Sequence, residues 1–169
     1  MITARRAARE AALAVLFTAD AASLKSADEA LSLFRENLRD DPEVVIELFG
    51  DDDQPAEPAA LIERAHNLLR TEGKHWQFVE RLVRGVFDHS GAIDDLVQRC
   101  SQNWKLQRMN RVDRNILRMA AFELAFESEV PGRATLNEAI ELAKRFGTED
   151  SSKFVNGILD RIAQDLDRV

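Results

Sequence analysis

From one end of this chain to the other, apolar residues recur three and four positions apart. Ala8, Ala12, Val15, Leu16 and Ala19 form one such stripe, and Leu31, Phe34 and Leu38 a second. The pattern continues through Leu61, Ile62, Ala65, Leu68 and Leu69, then Trp76, Val79, Leu82, Val83, Val86 and Phe87, then Ile93, Leu96, Val97 and Cys100. It closes with Val112–Ile116–Leu117–Ala120–Leu124, with Leu136–Ala139–Ile140–Ala143, and with Phe154, Val155, Ile158, Leu159, Ile162 and Leu166. Each stripe covers one face of a 3.6-residue helix, and no stretch sustains the two-residue alternation of a half-buried strand. The expected fold is therefore all-α, with about seven helices in two packed helical halves, roughly 1–72 and 73–169, divided near Gly73.

Local signals place several helix ends. Ser26 with Glu29, and Thr135 with Glu138, have the spacing of capping boxes. Val130-Pro131-Gly132 is a stop after the Val112–Leu124 stripe, Gly147 suits the position just past a helix end, and Asp150-Ser151-Ser152 precedes the last helix. Between about 40 and 58 the pattern breaks at Pro42, Gly50, Pro55 and Pro58, which predicts an acidic loop with at most one helical turn near 44–49.

The net charge of −7 is largely local. Nine carboxylates and no lysine or arginine lie between Asp40 and Glu63, and without that segment the rest of the chain carries +2. Nucleic acid is therefore not excluded as a partner. Arg5, Arg6 and Arg9 open the first helix, where positive charge opposes the helix dipole. Arg5 and Arg9 are one turn apart, with Arg6 on the flank. The three are expected to point into solvent as one basic patch, which serves either as a solvated helix end or as an anion site.

Other chemistry lacks its residues. His66, His75 and His89 have no metal-ligand spacing to cysteines or carboxylates. Cys100 sits on an apolar stripe as a small hydrophobe, and its being the only cysteine fits a reduced, cytoplasmic compartment. There is no phosphate-binding glycine loop, nucleophile elbow, signal peptide or membrane span. The expectation is a non-enzyme without cofactor or metal.

The segment from Asn137 to Asp160, NEAIELAKRFGTEDSSKFVNGILD, closely resembles the signature of the NusB family of transcription antitermination factors. Arg5-Arg6-Ala7-Ala8-Arg9-Glu10, the run Val112 to Arg118 followed by Glu123-Leu124, and Val130-Pro131 agree in order, so the likeness covers nearly the whole chain. It implies the two-part helical fold. It also implies binding to the boxA segment of nascent ribosomal RNA together with NusE, a small ribosomal protein in its transcription role, within an RNA polymerase antitermination complex.

The family's RNA surface maps onto Arg5, Arg6, Arg9, Phe17, Asp150, Lys153 and Phe154. Arginines neutralise phosphate, and aromatic faces take unstacked bases. Each residue also has a structural reading. Phe17 and Phe154 can serve the core, Asp150 can be an N-cap, and Asn156-Gly157 can allow close helix packing. Asp113, Arg114 and Arg118 either form internal ion pairs or face the protein partner. Two departures thin the RNA surface: Ala7 stands at a place often basic in the family, and Phe17 where a tyrosine is common. The acidic stretch is longer than the family pattern. NusB-like domains also occur fused to rRNA cytosine methyltransferases. The expectation here is that no cofactor-binding domain accompanies this one, so that a catalytic role would need a separate chain. Some relatives form a homodimer that buries the arginine region, which makes a self-associating module the third reading.

Overall fold

The computed structural model describes residues 4–41 and 73–169, together with residues 43, 57, 59–60, 63 and 66–67. The acidic loop expected over 40–58 and the stripe from Leu61 to Leu69 therefore lie outside the described residues, apart from scattered positions. Among the described residues there are seven α-helices and no strand. They are α1 (Ala4–Ala21), α2 (Ala27–Asp40), α3 (Lys74–Asp88), α4 (Ser90–Cys100), α5 (Arg111–Phe126), α6 (Gly132–Phe146) and α7 (Ser151–Asp165), with one 3-10 turn at Leu106–Arg108. The chain divides into two compact units, Met1–Val83 and Arg84–Val169, so the division falls inside α3, whereas Gly73 lies just before that helix.

In the first unit α1 packs against α2. Ala8, Ala11, Ala12 and Val15 of α1 are fully buried, as the stripe predicts. Ser26 caps α2, its hydroxyl accepting the Glu29 N–H at 3.3 Å. Two arginines lie over aromatic rings of α3: the guanidinium of Arg9 is 5.2 Å from the Phe78 ring and that of Arg35 is 5.0 Å from Trp76.

In the second unit α5 is the central element, packing on α4, α6 and α7. Ile116, Leu117, Ala121 and Leu124 are buried, and so are Ile158, Leu159 and Ile162 of α7 and Leu142 and Ala143 of α6. Both ends of α5 are secured by side chains. Asn110 accepts the Asp113 N–H through its side-chain oxygen and donates to the Asp113 carboxylate, both at 2.8 Å. At the other end Arg168 donates to the carbonyls of Leu124 (2.6 Å), Glu127 (3.1 Å) and Val130 (2.6 Å). These acceptors include carbonyls that a helix end leaves without intrahelical partners.

Several sequence expectations are corrected here. Helix α6 begins at Gly132, with Pro131 as its N-cap, so Thr135 is one turn inside the helix and its N–H bonds the Pro131 carbonyl at 3.2 Å. Thr135 is buried and does not cap, because proline already supplies a pre-set φ (−59°) for entry a turn earlier. Gly147 does follow α6, but with extended backbone (φ −90°, ψ −168°), not a left-handed turn. A Cβ there would strike Ser151 and the Ala143 carbonyl, so close approach is what favours glycine. Gly157 shows the opposite: a Cβ would meet nothing within 4 Å, so close helix packing does not explain it.

The glycines give a paired test in thermal or denaturant unfolding. At Gly85 a Cβ would enter the Phe122 ring, so Gly85→Ala is expected to cost about 1–3 kcal/mol by overpacking. Gly157→Ala is expected to stabilise by about 0.5–1 kcal/mol, since α7 gains helix propensity without a clash. Arg168→Ala is expected to destabilise by about 2 kcal/mol, the scale of charged hydrogen bonds lost at a helix end. A neutral Gly85→Ala or Arg168→Ala protein would contradict this packing.

Candidate nucleic-acid interface

The residues singled out from the sequence fall into two sets, one in each unit. In the first unit Arg5 is exposed, Arg6 is half-buried and Arg9 is buried at 4% exposure. This corrects the expectation of three solvent-facing arginines. Arg9 lies within the packed part of α1, where Ala7, Ala8, Glu10 and Ala11 are also buried, and its guanidinium covers Phe78. A delocalised, weakly hydrated cation over an aromatic face is a stable way to bury an arginine. The surface patch on α1 therefore rests on Arg5 and the outer part of Arg6. Phe17, two turns beyond Arg9, is 38% exposed, which resolves its two readings in favour of the surface.

In the second unit Asp150 and Lys153 are exposed and Phe154 is half-buried. Asp150 occupies the N-cap position of α7, but its side chain makes no cap hydrogen bond. Ser151 performs the local tie instead, its hydroxyl accepting the Thr148 N–H at 2.8 Å. The carboxylate of Asp150 and the ammonium of Lys153 thus sit at the exposed start of a helix whose inner face is buried through Val155, Ile158 and Leu159. The Phe154 ring meets the Trp104 ring edge to face, with centroids 6.1 Å apart. Trp104 was not among the residues selected from the sequence. It is 54% exposed, the most exposed of the large hydrophobic residues described.

The three residues left open between internal pairing and a partner face all have internal contacts. Arg118 forms a two-pronged ion pair with Asp94, at 2.7 and 3.0 Å. Arg114 reaches the carbonyls of Leu106, Gln107 and Met109, each at 3.4 Å, and Asp113 is buried in the Asn110 cap. Among the described residues no group of histidine, cysteine or carboxylate side chains is arranged to hold a metal ion, and no helix is long and apolar enough to cross a membrane. Cys100 is buried. Desolvation, then a hydrogen bond to the Asp165 carboxylate (3.6 Å) and its charge, push the thiol above its ordinary range. That direction disfavours the thiolate a nucleophile requires.

Comparison with known proteins adds a consistent family likeness. The NusB family model matches residues 6–164. The transcription antitermination protein NusB of Geotalea daltonii is 40% identical over 98% of this chain and 97% of its own length. That of Geobacter sulfurreducens is 42% identical over 96% of each. Among solved structures, NusB of T. maritima is 35% identical, with a TM-score of 0.65 over 98% of this chain and 94% of its own. A structure of the antitermination factors NusB and NusE in complex with dsRNA shares the fold, with 21% identity and a TM-score of 0.64, over 98% of this chain and 99% of that one.

The different settings of the arginines are separable by experiment. Arg9→Ala is expected to lower stability by about 1–2 kcal/mol, through the lost cation–π contact and the exposed Phe78 face. Arg5→Ala is expected to leave stability within about 0.5 kcal/mol, as for an exposed helix end. Equal melting temperatures for the two variants would show that Arg9 is not a packed residue.

Proposed function

The chain belongs to the NusB family, whose members are transcription antitermination proteins, and from that premise we propose that it binds boxA-type single-stranded RNA together with NusE. The observation that carries this reading is the match over nearly the whole chain, from residue 6 to residue 164, including the exposed start of α7. The solved NusB–NusE–dsRNA complex, a protein of the same fold, supports both kinds of partner. In this reading Arg5 and Arg6 contact phosphate, Phe17 and Phe154 offer faces to bases, and Lys153 adds a charge at the start of α7. Arg9 acts from beneath: it fixes α1 against Phe78 and so sets where Arg5 and Phe17 point.

The protein is an assembly factor and not a catalyst in this proposal. It loads RNA and NusE onto the RNA polymerase antitermination complex in the cytoplasm. A homodimer is the competing use of the same surface. The exposed ring of Phe17 favours it as an apolar anchor, and it would hide the arginines from RNA.

With roughly two phosphate contacts from Arg5 and Arg6, the slope of log affinity against log salt contributed by this patch is expected to be about −1.4. Arg5→Ala should flatten the measured slope by about 0.7. NusE should tighten RNA binding well beyond either protein alone, because the basic surface here is thin. The check is an RNA titration at several salt concentrations, with and without NusE, alongside gel filtration. Equal RNA affinity with and without NusE, or a dimer that RNA does not dissociate, would sink this proposal.

A further inference from the structure

The second unit presents an aromatic–basic surface around the loop between α4 and α5. From Gln98 to Val112 the chain holds Arg99, Lys105, Arg108 and Arg111 and no carboxylate, within a protein of net charge −7. Trp104 is in the middle of this run. Its indole is half exposed, while Trp76, the other tryptophan, is 1% exposed. An exposed tryptophan costs solvation free energy, and here its backbone is held firmly in place. The Trp104 carbonyl accepts from Gln98 Nε2 (3.0 Å) and from the Ser101 hydroxyl (2.9 Å). The Gln98 carbonyl oxygen Oε1 accepts the Leu106 N–H (2.9 Å), and Arg114 holds the following turn from behind. Gln102 takes a left-handed backbone (φ 28°), which tightens the turn that leads to Trp104. The ring lies against Phe154, next to the exposed Lys153, and Lys105 and Arg108 are exposed on its own loop.

We propose that Trp104 is a stacking platform for an unstacked base of single-stranded RNA, with Lys105 and Arg108 contacting the adjoining phosphates. The inference rests on the RNA-binding reading above and extends the RNA path from the start of α7 onto the α4–α5 loop. RNA is favoured over a protein partner by the run of cations without carboxylates and by continuity with Phe154 and Lys153. An aromatic face beside a basic groove is the arrangement that holds single strands with little sequence preference. A rigid loop keeps the ordering cost of binding low.

The test titrates the full chain with a boxA-type single-stranded RNA oligonucleotide and follows tryptophan fluorescence. Stacking on Trp104 is expected to quench the exposed indole. Trp104→Phe should remove the quench and keep most of the affinity. Trp104→Ala should weaken binding roughly five- to a hundredfold, with the melting temperature lowered only by the lost edge-to-face contact with Phe154. The double variant Lys105→Ala/Arg108→Ala should flatten the salt slope by about 1.4. If Arg5→Ala weakens RNA binding while Trp104→Ala binds like the wild type, the family reading stands and the Trp104 platform falls. If the wild-type chain binds no RNA, with or without NusE, both fall. If Trp104→Ala loses affinity for NusE in the absence of RNA, the loop is a protein-docking surface and the platform is overturned.

Discussion

Helix α5 has to be buried along most of its length, and the second unit is organised around that requirement. From Asn115 to Leu124 almost every residue is inaccessible, including the polar Asn115 and Glu123. A helix so placed cannot leave its ends to water, because an unpaired buried backbone group costs as much as a lost hydrogen bond. Asn110 and Asp113 close the first turn reciprocally, and the guanidinium of Arg168, from the far end of the chain, closes the last. Ala120 and Ala121 of α5 are buried, and the absence of a side chain at Gly85 leaves room for the Phe122 ring. The tail after α7 thus acts as a fastening for α5 as well as a chain end.

That core decides where the surface chemistry can lie. Helices α4 and α7 both pack on α5 and on each other, so the end of α4 and the start of α7 can present only their outward residues. Cys100 closes the apolar stripe of α4, and its carbonyl accepts from Arg161 of α7 at 3.1 Å. The loop that follows runs through the 3-10 turn Leu106–Arg108 to the first residue of α5, and Gln98, Ser101 and Arg114 hydrogen-bond to its backbone. The Trp104 carbonyl is held by Gln98 and Ser101, and its ring is exposed. Arg114 and Arg118 have sequence spacing that suits a partner face, yet one holds the 3-10 turn and the other pairs with Asp94. Their charges are used in assembling the surface on which Trp104, Lys105 and Arg108 are displayed.

The helices were legible because burial of a stripe imposes a 3.6-residue period that nothing else in a soluble chain produces so regularly. The Ser26 cap was legible for the same local reason: a hydroxyl three residues before a backbone N–H needs no tertiary information. Thr135-x-x-Glu138 has the same letters, but Pro131 had already started that helix, and a motif cannot report which of two valid starts the chain uses. The position of Gly147 was legible, whereas its cause, the approach of Ser151, depends on where α7 returns. Arg9 was misplaced because its setting needs Phe78, which is far away in sequence. A charge at a helix start was read as solvated, when an aromatic ring from another helix had made burial affordable. Of the surface read by resemblance, Arg5, Phe17, Asp150 and Lys153 are exposed. Trp104 carried no sequence signal beyond its neighbours, the cations from Arg99 to Arg111 without a carboxylate among them.

The charge distribution explains how an acidic protein can present a surface suited to a polyanion. At physiological ionic strength the field of an exposed charge decays over about 8 Å, so net charge matters less than which charges share a patch. Nine carboxylates are gathered between Asp40 and Glu63, and the run from Gln98 to Val112 has none. Each basic patch is nevertheless small, since Arg9, Arg114 and Arg118 are committed to internal contacts. A patch with few exposed cations offers a polyanion only a weak and salt-sensitive attraction. In the proposed function such a surface would gain most from a second protein that adds contacts to the same strand. Thin electrostatics and rigidly held aromatics are therefore features that suit the composite RNA site proposed above, in which each partner would supply part of the grip.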